Sequence, residues 1–171
     1  MDSHIKNWLS FIKTSNKKRK LEQIDEDELI KELKYYSIIT IIKILKQHKF
    51  NQGGIVHAFS GGVEEAKTYA KLGFKLGIGG SLTYPQAKRL HSVVNAMHIE
   101  SLVIETDAPD MIPMPHRQQN AKYTRNSPAY LASVAQALAQ AKQLSLQQLA
   151  PILWQNSCQA LHLTLQSARV I

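Results

Sequence analysis

Apolar positions in this chain follow two rhythms, short unbroken runs and stretches in which they return every three or four residues. Leu102, Val103 and Ile104 form one run, which two acids and Pro109 then close. It reads as a strand buried on both faces that delivers Glu105 and Asp107 to its C-terminal rim. Phe74 to Ile78 reads as another strand, ending in Gly79-Gly80, where the backbone can turn closely or leave room for a ligand. Ile55 and Val56, after the Gly53-Gly54 turn, make a third, followed by His57 and a Ser60-Gly61-Gly62 turn. The helical rhythm runs from Ile38 to Gln47 and from Val63 to Leu72, where Ala66, Tyr69 and Ala70 share one side. It resumes over Pro85 to Met97, Pro128 to Gln143 and Ser145 to Leu161. Pro85 suits a first helical turn, and Ser127 and Ser145 are N-cap residues. Asp110 to Ser127 has no rhythm and reads as a long loop. Short strands alternating with helices specify an α/β fold with a parallel sheet, which keeps its chemistry at the C-terminal ends of its strands.

Two strand ends therefore carry candidate chemistry. Asp107 alone is equally a solvated acid in a turn, and a lone strand histidine such as His57 is ordinarily a satisfied core residue. Together, about fifty residues apart, imidazole and carboxylate suit Zn²⁺, Mn²⁺ or a similar ion. Glu105 stands two residues before Asp107, so an extended backbone puts both on one side. It is either a partner that orients a ligand or an acid at the strand end. In the loop, His116, Arg117, Lys122 and Arg125 are candidate phosphate contacts, because arginine binds phosphate oxygens in bidentate fashion. Tyr123 can stack on a base or pack on the rim, and Asn126 can brace the turn into the next helix.

Four segments resemble the TatD family of metal-dependent deoxyribonucleases, which are (β/α)₈ barrels. They are Val56-His-Ala-Phe-Ser-Gly61, Leu72-Gly-Phe-Lys-Leu-Gly-Ile-Gly-Gly80, Ile104-Glu-Thr-Asp-Ala-Pro109 and Arg125-Asn-Ser-Pro128, in the family's order and spacing. The likeness extends from about Ile38 to Leu163 and implies a partial TIM-type (β/α) barrel comprising the last three strands and their helices. By this resemblance His57 is a metal ligand on the sixth strand and Asp107 a metal ligand and catalytic residue on the eighth. Arg125, in the Arg-Asn-x-Pro match, and then Arg117 are the favoured substrate contacts. The resemblance further implies a divalent cofactor (Zn, Mg or Mn) and DNA or another phosphodiester as substrate. The family's opening His-x-His pair has no counterpart: near His4, Lys6 stands where the second histidine belongs. A glutamate and a histidine from middle strands are missing as well, so much of the metal site is absent.

Length and charge change the picture in two ways. The 171 residues fall short of the roughly 250 of a complete barrel, which accommodates three to four βα units and fits a truncated gene. Such a fragment exposes strand edges, so self-association is expected. The net charge of +8 favours an anionic partner. Residues 1–36 hold the run Lys17-Lys-Arg-Lys20 and the acidic stretch Glu22 to Glu28, a composition of solvated helix or disorder. They form a separate charged segment ahead of the barrel portion at 37–171. The lone Cys158 allows no internal disulfide and packs in the last helix. There is neither a long apolar run nor a secretory leader, so no membrane partner is expected and cytoplasm is the default. Three readings follow: a TatD-like hydrolase, an inactive remnant of one, or a basic nucleic-acid-binding module.

Overall fold

The computed structural model describes residues 38–118 and 124–163. The charged N-terminal segment, with His4, and the loop residues Lys122 and Tyr123 lie outside them. A helix over 38–47 (α1) precedes strand β1, Gly54–Val56. Then follow α2, Val63–Lys71; β2, Phe74–Ile78; α3, Lys88–Ala96; β3, Leu102–Ile104; α4, Leu131–Lys142; and α5, Leu146–Ala160.

The three strands form one parallel sheet in the order β1-β2-β3, with Gly54 opposite Phe74 and Leu76 opposite Leu102. Alternation along β2 divides its two faces. Leu76 and Ile78 are fully buried and join Ala66, Tyr69, Val93, Leu138 and Leu149 in the helix-covered core. Gly77, between them, abuts the Glu105 carboxylate instead. Leu102 and Val103, neighbours on opposite faces of β3, are both buried, as a doubly covered strand requires. α1 lays Ile38, Ile42 and Leu45 against the core and leaves Ile39, Ile41 and Ile44 exposed.

Polar side chains fix the helices to the sheet. Buried Asn156 on α5 donates to the carbonyls of Ile99 and Leu102, both at 2.8 Å. Ser145 caps α5 in a reciprocal pair with Gln148, and Ser127 accepts from the Ala129 N–H, both as the sequence predicts. Cys158 is buried in α5. Two boundaries differ from expectation. The predicted helix from Pro85 begins only at Lys88: Tyr84 is held extended ahead of the proline, and Ala87 (ψ 46°) is not yet helical. The segment from Pro128 opens as a 3₁₀ turn to Tyr130 before α4. The loop after Asp107 also contains a 3₁₀ turn, Met114–His116, among its described residues. Among the described residues, no helix is long and apolar enough to cross a membrane.

Candidate metal centre

β1 stops at Val56, so His57 stands just past the strand, and the next residue, Ala58, takes the left-handed conformation (φ 46°). That conformation costs an L-residue roughly 1–2 kcal/mol. It accompanies a bond from the Ala58 N–H to Glu105 Oε1 at 2.5 Å. A backbone turn at the end of β1 thereby holds a carboxylate at the end of β3. Gly77 completes the arrangement, because a β-carbon there would collide with the same carboxylate.

His57 lies between the two acids. Its Nδ1 is 2.9 Å from Glu105 Oε2 and its Nε2 is 2.8 Å from Asp107 Oδ1. The acids are largely buried (side chains 15% and 13% exposed) and the imidazole is open (66%). The hydrogen bond and charge of Glu105, reinforced by Asp107, raise the imidazole above its usual pKa against a smaller opposing effect of burial. The other Asp107 oxygen, Oδ2, is buried with no hydrogen-bond partner, an uncompensated acceptor of the kind that a cation satisfies. Gly79 leaves it space, since a β-carbon there would sit 3.0 Å from Oδ2. Among the described residues, His57, Glu105 and Asp107 are the group able to hold an ion, with donor atoms within 4.8 Å of one another.

The loop behind Asp107 is clamped by a residue the sequence left ambiguous. Buried Asn126 donates from Nδ2 to the Asp110 carbonyl at 2.7 Å and makes 3.4 Å contacts to Thr106 Oγ1 and the Met111 carbonyl. Its own N–H reaches the Pro109 carbonyl at 2.8 Å. It therefore braces the segment on both sides of Asp107, in addition to accepting the Ser127 N–H at 2.8 Å at the turn into the next helix. Arg125 lines a cavity with Ala108 and Pro109, directly after Asp107. Arg117 lies over the Tyr84 ring, 5.7 Å from its centroid. His116 stacks on Tyr130 at 3.8 Å and pairs through Nε2 with Ser133 Oγ at 2.7 Å. The Ala58 N–H escaped the sequence reading because a backbone donor carries no side-chain signal. The Gly77-x-Gly79 alternation was the visible trace of the space the acids need.

The family model described as TatD related DNase matches residues 37–162. The chain belongs to the TatD related DNase family. The chain is similar to the uncharacterized metal-dependent hydrolase YabD of Bacillus subtilis, 35% identical over 68% of this chain and 44% of that protein. An uncharacterized metal-dependent hydrolase of Haemophilus influenzae is 31% identical over 70% of this chain and 44% of its own length. The crystal structure of the TatD homologue YjjV of Escherichia coli superposes with a TM-score of 0.64 at 31% identity, covering 72% of this chain and 46% of that one. The chain thus spans less than half the length of these relatives. Its sheet and helices are a partial α/β barrel.

Proposed function

We propose that this chain supplies one side of the active centre of a metal-dependent hydrolase that cleaves phosphodiester bonds in DNA. The observation that carries the reading is the convergence of His57, Glu105 and Asp107 at one rim, with Asp107 Oδ2 buried and unpartnered. His57 Nε2 and Asp107 would hold the ion, and Glu105 would keep Nδ1–H oriented, as carboxylates do behind metal-bound histidines. A divalent ion (Zn, Mg or Mn) held there would supply Lewis acidity for the reaction. Asp107 would accept the proton of the attacking water and return it to the alkoxide oxygen that leaves as the P–O bond breaks, while Arg125, beside Pro109, would neutralise a phosphate oxygen. Arg117, turned over Tyr84, is the more distant substrate contact.

Two direct ligands are fewer than the three that a catalytic zinc site ordinarily draws from protein, so turnover by this chain alone is expected to be slow. The test is metal-dependent hydrolysis of an oligodeoxynucleotide by wild type, His57→Ala and Asp107→Ala, at several protein concentrations. Activity lost in both variants supports the proposal. Activity indifferent to both, or none at any concentration, overturns it. The net charge of +8 favours a second reading, a nucleic-acid-binding module without catalysis. That reading requires binding that survives Asp107→Ala and falls steeply with salt.

A further inference from the structure

Among the described residues two buried side-chain atoms lack a hydrogen-bond partner, Asp107 Oδ2 at the metal centre and His91 Nε2 on α3. His91 lines a groove of about 750 Å³ between α3 and α4 that none of His57, Glu105 and Asp107 touches. A buried ring nitrogen left unpaired costs free energy until a partner supplies its hydrogen bond.

The walls of the groove repeat that chemistry. Asn95 stands one turn after His91 on α3, and Gln136 and Gln140 stand one turn apart on α4. These three carboxamides are without hydrogen-bond partners among the described residues, and each offers a donor and an acceptor. No Asp, Glu, Lys or Arg lines the groove, so in a chain of net charge +8 it has nothing to hold an anion. Its surface between the walls is apolar, from Leu82, Ala137 and Ala141. One end is held in shape, because Ser133 Oγ pairs with His116 and Thr83 Oγ1 binds both the Gly80 carbonyl and the Met114 N–H.

Spacing selects the ligand. Four residues of helix rise about 6 Å. Groups on one side of an extended chain recur every two residues, roughly every 6.6 Å. The paired side chains on each wall therefore keep step with the main-chain amides of a strand laid along the groove. A main chain is uncharged and presents N–H and C=O groups to both sides, which is what the two walls demand.

We infer that the groove between α3 and α4 binds an extended, uncharged peptide segment of a partner protein. Its main-chain amides pair with Asn95, Gln136, Gln140 and His91 Nε2, and alternate side chains rest on Leu82, Ala137 and Ala141. The metal centre has no part in this.

Recognition through the main chain tolerates many sequences, so a generic peptide tests it. The full chain, labelled with ¹⁵N, is titrated in NMR with acetyl-Ser-Val-Ser-Val-Ser-amide, with the same peptide N-methylated along its backbone, and with N-acetylglucosamine as a compact neutral amide. The side-chain NH₂ signals of Asn95, Gln136 and Gln140 should shift together and saturate with the first ligand. Gln136→Ala/Gln140→Ala should bind it about tenfold more weakly, the scale of two ordinary hydrogen bonds. Both positions are exposed and alanine favours helix, and a thermal melt checks that the fold is retained. Gln155→Ala, on the exposed surface of α5, should bind as wild type does. Absence of saturable binding by wild type overturns the inference, as does equal affinity in the double variant or equal binding of the N-methylated peptide. N-acetylglucosamine moving the same signals at lower concentration than the peptide also overturns it, and makes the groove a small-molecule site.

Discussion

At the residue scale, His57 and Asp107 were legible because each follows a short apolar run, where a polar side chain has little reason to stand except at a rim. Asn126 was only half legible: its contacts depend on how the loop after Asp107 closes, which no local pattern encodes. Asn126→Asp keeps its shape but removes the donor to the Asp110 carbonyl, so stability should fall by about 1–3 kcal/mol in urea melts. Because the same clamp positions the segment around Asp107, Mn²⁺ affinity should fall too. Unchanged affinity in a destabilised variant would reduce Asn126 to a loop brace. The pH dependence follows from His57. Metal requires the neutral ring, and Glu105 raises the pKa at which that ring takes up its proton. Protonation therefore competes from above the ordinary value of about 6.5 downward. Mn²⁺ affinity should decline as pH falls, with the decline beginning above the range of an ordinary histidine, and Glu105→Gln should move it to lower pH. A midpoint unmoved by that substitution would remove Glu105 from the argument.

At the scale of elements, all three strands were readable, since each is a compact apolar run bounded by glycine or by polar residues. Helix starts were less so. Ser145 was visible because its capping partner Gln148 lies in the same turn, whereas the late start of α3 depends on backbone angles around Pro85. The difference is one of range: a cap is local chemistry, and the 3₁₀ turn Gly80–Thr83 is held by contacts across the rim. Thr83 Oγ1 accepts the Met114 N–H at 2.8 Å, and Tyr84 Oη donates to the Ile112 carbonyl at 2.7 Å. These bonds join the loop after β2 to the loop after β3. Ser145→Ala breaks the α5 cap, and about 1 kcal/mol of stability should go with it in a denaturant melt. α5 also carries Asn156 onto β3, so its fraying should be felt at the sheet. Faster hydrogen exchange at the Leu102–Ile104 amides would register that coupling, and exchange confined to the first turn of α5 would deny it.

For the molecule as a whole, barrel character was recognisable from ordered motifs rather than from periodicity, because three parallel strands with helices fit several α/β folds. Three strands cannot close on themselves. Among the described residues β1 and β3 each pair with β2 alone, which leaves a row of backbone donors and acceptors on each outer side. The β3 side is also apolar, with a groove of about 330 Å³ lined by Ile104, Leu131, Leu146 and Trp154, the last 46% exposed. On α1, Ile39, Ile41 and Ile44 are open as well. Each 100 Å² of such surface removed from water contributes roughly 2.5 kcal/mol before the entropic cost of association, so a modest contact between copies suffices. The purified chain should therefore self-associate in a concentration-dependent way in sedimentation velocity. Trp154→Glu, which places a charge in the groove on an already exposed position, should shift the population toward monomer without lowering the melting temperature. A monomer at all concentrations with one sharp melt would show that these edges are protected and that the groove is not a contact surface. Association unaffected by Trp154→Glu would move the contact to α1 or the β1 edge.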